Sequence, residues 1–227
     1  MRDKLYVYGD SLMKATVPDE NFRYHFRIGE LMERESDPAL EVVNRAKMGA
    51  TIRKGQSLVA RDLEQGAQGR WALIGYGGND CDFDWRAVAA APDEEHCPHT
   101  ELPEFLRILK ETAAALLEKG IQPLLMTLPP IDAEKYLRFI CRGGADRGRI
   151  LSWLGDCQMI YRYQELYSDS VAQLATAEGL PLIDVRRAFL GDRSCAGLIA
   201  ADGIHLTMDG YQRLYGTIGA WLRKNVL

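Results

Sequence analysis

Short apolar runs alternate with amphipathic stretches from one end of the chain to the other. Runs at 5–9, 41–44, 71–76, 123–127 and 181–185 have the length and bounding residues of strands buried on both faces. Between them lie helical stripes. Leu106, Leu109, Ala113, Leu116 and Leu117 fall on one face, with Gly120 as the stop. Met159, Tyr163, Leu166, Tyr167, Val171 and Leu174 form a second stripe, closed by Gly179. Tyr211, Leu214, Tyr215, Ile218, Trp221 and Leu222 form a third, with Thr207 placed as its N-cap. Strands alternating with helices predict an α/β fold, a parallel sheet covered on both sides. His25 is read as a surface or boundary residue of a further amphipathic helix.

Two segments break the alternation, 80–100 and 131–155, and each follows the C-terminal end of an expected strand. Ligands of open α/β sheets bind at that edge, so both are expected to shape a substrate site. The basic centre of the second, Arg142 to Arg149, and the aromatic residues Trp153, Tyr161 and Tyr163 are candidates for contact with a sugar or an anionic substrate, or else plain surface and packing residues. Asp80, Asp82 and Asp84 alternate like the start of a calcium loop. The later glycine and glutamate of such a loop are missing, so a solvated acidic turn is expected. No repeat or flexible linker divides the chain, so all 227 residues are expected to form one domain.

Composition narrows the function classes. With 28 Lys and Arg against 32 Asp and Glu, the net charge of −4 gives no basic footprint for nucleic acid. Nothing approaches the ~20 apolar residues of a membrane span, and the first residues are too short in apolar content for a signal-peptide core. Five cysteines without a CxxC pair fit reduced thiols, and together these features lead to the expectation of a cytoplasmic protein. His96, Cys97 and His99 lack a second cluster to complete a metal site.

Four segments carry chemistry. Gly9-Asp10-Ser11 ends the first strand and puts a hydroxyl at the C-terminal sheet edge, where it could equally cap a helix. Met13 rules out the Gly-x-Ser-x-Gly elbow of α/β-hydrolases. Asp202 stands three residues before His205, a pairing that could fix an imidazole tautomer for proton transfer from a serine. The start of the last helix disfavours an imidazolium at His205 while Asp202 favours one, so the two effects oppose. Gly77-Gly78-Asn79-Asp80 follows the third strand; it is either a Gly-rich turn or a place where the Asn79 amide meets an oxyanion. Gly49, after the second strand, could present a backbone N–H to the same edge.

Together these four blocks resemble the SGNH hydrolases, the GDSL esterase/lipase family, in order and in the strand ends they occupy, over nearly the whole chain. The resemblance implies a flavodoxin-like α/β/α sandwich with a five-stranded parallel sheet of order 2-1-3-4-5, and no metal or organic cofactor. It implies Ser11 as nucleophile, His205 as general base and then acid, and Asp202 as the orienting carboxylate. The Ser11 and Gly49 N–H groups and the Asn79 amide would form an oxyanion hole, with Asp10 and Gly78 in support. The expected activity is hydrolysis of short-chain or acetyl esters, carbohydrate esters among them, with lysophospholipase- or thioesterase-type acylhydrolysis as the alternative. A flavodoxin-like ligand-binding domain without turnover is the rival of a different class. It predicts phosphate-binding turns that the sequence lacks and leaves Asp202 and His205 without a role.

Overall fold

The computed structural model describes residues 3–35 and 40–226. Five parallel strands form the central sheet: β1 (Asp3–Gly9), β4 (Leu40–Asn44), β5 (Trp71–Gly75), β6 (Gln122–Met126) and β7 (Leu182–Ile183). Their spatial order is β4-β1-β5-β6-β7, which is 2-1-3-4-5 in sequence order. A separate antiparallel hairpin, β2 (Thr16–Pro18) with β3 (Tyr24–Phe26), follows a single 3-10 turn at Leu12–Lys14.

Side-chain alternation along β1 divides the core in two. Tyr6 and Tyr8 point into one layer with residues of α2 (Ile52–Glu64), α4 (Leu102–Glu118) and α7 (Met159–Ala177). Leu5 and Val7 point into the other, with α8 (Val185–Leu190) and α10 (Met208–Asn225), against which α1 (Ile28–Glu35) also packs. One carboxylate shows how polar atoms are kept satisfied inside: the buried Asp62 accepts from Tyr8 at 3.1 Å and from Arg45 at 2.8 Å.

A third core lies beyond the sheet edge. It joins α3 (Trp85–Ala90) to α5 (Ala133–Cys141) and α6 (Arg147–Leu154) through Phe83, Val88, Tyr136, Leu137 and Ile150. The two segments that break the strand–helix alternation therefore pack on each other at one end of the sheet. A short helix α9 (Cys195–Leu198) precedes the loop to α10.

Several expectations shift in detail. The last strand is two residues long because Asp184 caps α8, accepting from the Arg187 N–H at 3.2 Å. In α4 the buried stripe is Phe105, Ile108, Leu109, Thr112, Ala113 and Leu116, and Leu117 is exposed. In α7 Ile160, Gln164, Ser168 and Ala175 are buried where Leu166 is exposed, a rotation of about one position. His25 lies in β3, exposed, paired with Asp19 at 3.2 Å, and not in a helix. The α10 stripe and its Thr207 cap are as expected, with the Thr207 hydroxyl accepting from the Gly210 N–H at 3.2 Å. No helix among the described residues is long and apolar enough to cross a membrane.

Candidate active site

Strands β1 and β5 run side by side in register, with Gly9 opposite Gly75. The loops leaving their C-terminal ends are therefore neighbours, at the point where the chain turns to β4 on one side and to β5 on the other. Ser11 stands in the first of these loops and Asn79 in the second. The loop after β4 reaches the same edge, since the Lys47 N–H donates to Gly9 O at 3.0 Å.

Asp202 and His205 arrive from the far end of the chain. Gly203 between them has φ +83°, a left-handed conformation, and a Cβ there would run into the backbone of Asp132 and Tyr136. The Gly203 carbonyl in turn accepts from the Asp132 N–H at 2.8 Å, which ties this loop to α5. The loop turns tightly enough for Asp202 Oδ1 to accept from the N–H groups of Ile204 and His205, at 3.2 and 3.0 Å.

His205 Nδ1 lies 2.6 Å from Asp202 Oδ2, and its Nε2 lies 2.9 Å from Ser11 Oγ. All three residues are buried, with exposures of 8% for Ser11, 0% for Asp202 and 3% for His205. Burial pushes the Asp202 carboxyl up, but the His205 hydrogen bond and charge and the two backbone donors outweigh it and hold it below its ordinary value. An ionised carboxylate only accepts, so the proton between the two residues sits on Nδ1 and leaves Nε2 to accept from the Ser11 hydroxyl. Chemically, this arrangement can withdraw a proton from a serine as it attacks a carbonyl carbon.

Asn79 donates through Nδ2 to Asp10 Oδ2 and to Ala50 O, both at 3.2 Å, and so links the loops after β1, β4 and β5. Asp10 also accepts from the Leu12 N–H at 2.9 Å. Burial raises its carboxyl to about 6, against the pull of that N–H and of the His205 charge. Gly78 lines the site beside Asn79, whereas Gly49 is exposed, with φ +66°.

A cavity of about 60 Å³ opens at Ser11 and His205. Its far wall comes from the two irregular segments: Phe83, Trp85, Ile131 and Tyr136, with Ile160 and Tyr163 of α7. Its floor at Leu128 and Pro129 is held by buried polar side chains. Gln164 Nε2 donates to Pro129 O at 2.8 Å, and Arg186 reaches Gln164 Oε1 at 2.8 Å and Leu128 O at 3.3 Å.

The acidic alternation is not a solvated turn. Asp80 is fully buried and accepts from the Ile52 N–H through both oxygens, at 3.0 and 3.1 Å, at the start of α2. Asp82 lines the cavity, and Asp84 caps α3 through the Arg86 and Ala87 N–H groups. Of the aromatic candidates, Tyr163 lines the cavity, while Trp153 packs on Phe83 with ring centroids 5.1 Å apart and Tyr161 lies under the Arg186 guanidinium. The arginines of the basic segment do not line it. Arg142 lies 4.0 Å over the Phe22 ring, Arg147 pairs with Glu134, and Arg149 bonds the carbonyls of Ala89 and Ala90. His96 and His99 bond the carbonyls of Ala91 and Asn79, and no metal-holding group of His, Cys, Asp or Glu occurs among the described residues.

Two contributors escaped the sequence reading. The Tyr24 ring packs on the His205 imidazole with centroids 4.9 Å apart, and burial together with the Asp202 carboxylate pushes its hydroxyl up to about 12. Its three-residue strand is too short to show a period. Asp82 looked like one of three exposed acids, and its only signal was the flanking Phe83 and Trp85.

The sequence profile of the GDSL-like Lipase/Acylhydrolase family matches residues 7–213. The chain belongs to this family. It is an enzyme of the esterase and acylhydrolase class. The isoamyl acetate-hydrolyzing esterase of Saccharomyces cerevisiae is 24% identical over 217 residues, covering 92% of this chain and 82% of its own. Among solved structures, the lipase/acylhydrolase from Enterococcus faecalis has a TM-score of 0.65 at 19% identity, covering 99% of this chain and 96% of its own. The acetylxylan esterase from Geobacillus stearothermophilus matches with a TM-score of 0.65 at 19% identity, covering 99% and 94%. At these identities the structural likeness speaks to the fold, and the GDSL fold is the 2-1-3-4-5 sandwich described above.

Proposed function

We propose that this GDSL-family enzyme is a serine esterase of short-chain esters, acetyl esters foremost. The observation that carries the proposal is His205 standing between Ser11 Oγ and Asp202 at hydrogen-bond distance on both sides, at the mouth of a small cavity. Ser11 Oγ attacks the ester carbonyl as His205 Nε2 takes its proton. The charge that develops on the carbonyl oxygen is met by the Ser11 and Gly49 N–H groups and the Asn79 amide. Collapse of the tetrahedral intermediate expels the alcohol, which takes the proton from His205, and leaves the acyl group on Ser11. Water then repeats the sequence, with His205 as base and Ser11 as leaving group. Asp202 holds the imidazole in the tautomer this requires, and Asp10 and Gly78 support the donors.

The small cavity at Ser11 supports the short acyl group. The relatives that act on isoamyl acetate and on acetylxylan fit the same choice, and acetylated carbohydrate is the second substrate class to test. The test is a series of p-nitrophenyl esters of rising acyl length run beside acetylated sugars, with Ser11→Ala as the blank. Highest kcat/KM at two to four acyl carbons is the expected result. A preference for long acyl chains would overturn the short-chain assignment, and undiminished hydrolysis by Ser11→Ala would overturn the mechanism.

A further inference from the structure

We infer that Asp82 reads a hydroxyl group carried by the substrate close to the ester, so that the site prefers esters of polyols or of hydroxy acids to plain alkyl esters. The inference rests on the ester-hydrolase reading above. Asp82 lines the same cavity as Ser11 and His205, in a wall otherwise made of Phe83, Trp85, Tyr136 and Tyr163. Its Oδ1 accepts from Trp85 Nε1 at 2.8 Å and its Oδ2 from the Tyr136 hydroxyl at 2.6 Å. These donors are neutral, and the cavity lining contains no Lys or Arg.

A carboxylate withdrawn from water without a cation is costly unless its lone pairs are filled. Four lone-pair sites are available on the two oxygens, and the two side-chain donors with the Phe83 N–H leave one open. A substrate hydroxyl entering this wall supplies a further donor, while its carbon skeleton lies against the rings. An alkyl group in the same place strips the remaining water from Asp82 and returns nothing, which is the circumstance in which a polar site discriminates most strongly. An anionic substituent would meet Asp82 and Asp10 with no cation in the lining to offset them, so carboxylate- or phosphate-bearing esters are excluded on the same grounds. The hydroxyl can stand on either side of the ester bond, and matched substrates separate the two cases.

The experiment compares glycerol 1-acetate with propyl acetate, which differ only in hydroxyls on the alcohol. Ethyl lactate and ethyl propionate differ only in one on the acyl group. In the wild type, at least one pair should show kcat/KM higher for the hydroxylated member by tenfold or more, at about the strength of a hydrogen bond to a charged group. Asp82→Asn should bring that ratio close to one. Tyr136→Phe keeps Asp82 in place and frees Oδ2, so it should retain or raise the preference. Equal rates within both pairs in the wild type would overturn the inference. So would a parallel fall of both members in Asp82→Asn, or loss of preference in Tyr136→Phe alone. Binding of the same four esters to Ser11→Ala, with and without Asp82→Asn, followed by saturation-transfer NMR, reads the contact without turnover. A failed esterase assignment and a failed Asp82 assignment therefore give different results.

Discussion

Asn79 is placed to do two jobs with one amide. At rest its Nδ2 holds Asp10 and Ala50, and during acyl transfer the same group is proposed to meet the oxyanion. Asn79→Ala should lower kcat on the order of 10²–10³-fold with KM little changed, measured on a short-chain p-nitrophenyl ester. A change confined to KM would assign Asn79 to loop packing instead. Gly203 carries a different constraint, because its left-handed φ and its contact with the Asp132 and Tyr136 backbone leave no space for a side chain. Gly203→Ala should therefore cost at least about 1 kcal/mol in urea unfolding and displace Asp202 from His205, removing most activity. Normal stability in that variant would contradict the close packing of this loop on α5.

Among the elements, α10 matters most to the site because its first turn follows His205 directly. Thr207 caps it through the Gly210 N–H, and Thr207→Ala should destabilise the protein by about 1 kcal/mol, read from the urea midpoint at constant slope. The elements that the sequence made legible are those with a long, regular period. The α10 stripe is read correctly from Tyr211 to Leu222, and each of the five strands overlaps its apolar run. In α4 and α7 the stripe is displaced, since both helices bury polar residues that the hydrophobic period passes over: Thr112, Gln164 and Ser168. Gln164 and Ser168 bond the Leu128–Pro129 backbone, so tertiary contacts decide which face turns inward. The same limit hid Tyr24 and Asp82, whose roles depend on partners 181 and 54 residues away. By contrast, Ser11, Asn79, Asp202 and His205 could be found early, because each stands at a strand end or just before a helix that the pattern already marks.

At the scale of the whole molecule, three carboxyls raised by burial, Asp10, Asp80 and Asp82, set an unusual pH dependence. Burial raises both Asp10 and Asp80 from 3.8 to about 6. A carboxyl raised on folding binds its proton more tightly in the native state, so its contribution is complete below about 4 and is lost as pH rises through about 6. Two units correspond to roughly 3 kcal/mol for each group, as an upper figure because the two charges interact. Asp202 acts in the opposite sense: held low, its contribution is complete above its unfolded value and is lost as pH falls through its lower native value. Unfolding free energy should thus decline between pH 4 and 6, and Asp80→Asn should flatten that decline; an identical slope in the variant would remove Asp80 from the account. The role of Ser11 stands above these details and has a direct measurement, the site and stoichiometry of labelling by a fluorophosphonate followed by peptide mass spectrometry. One adduct per chain on Ser11, formed in step with loss of esterase activity and abolished in His205→Ala, is the predicted result. Full inactivation with the adduct on another residue, or esterase activity that survives complete labelling of Ser11, would contradict it.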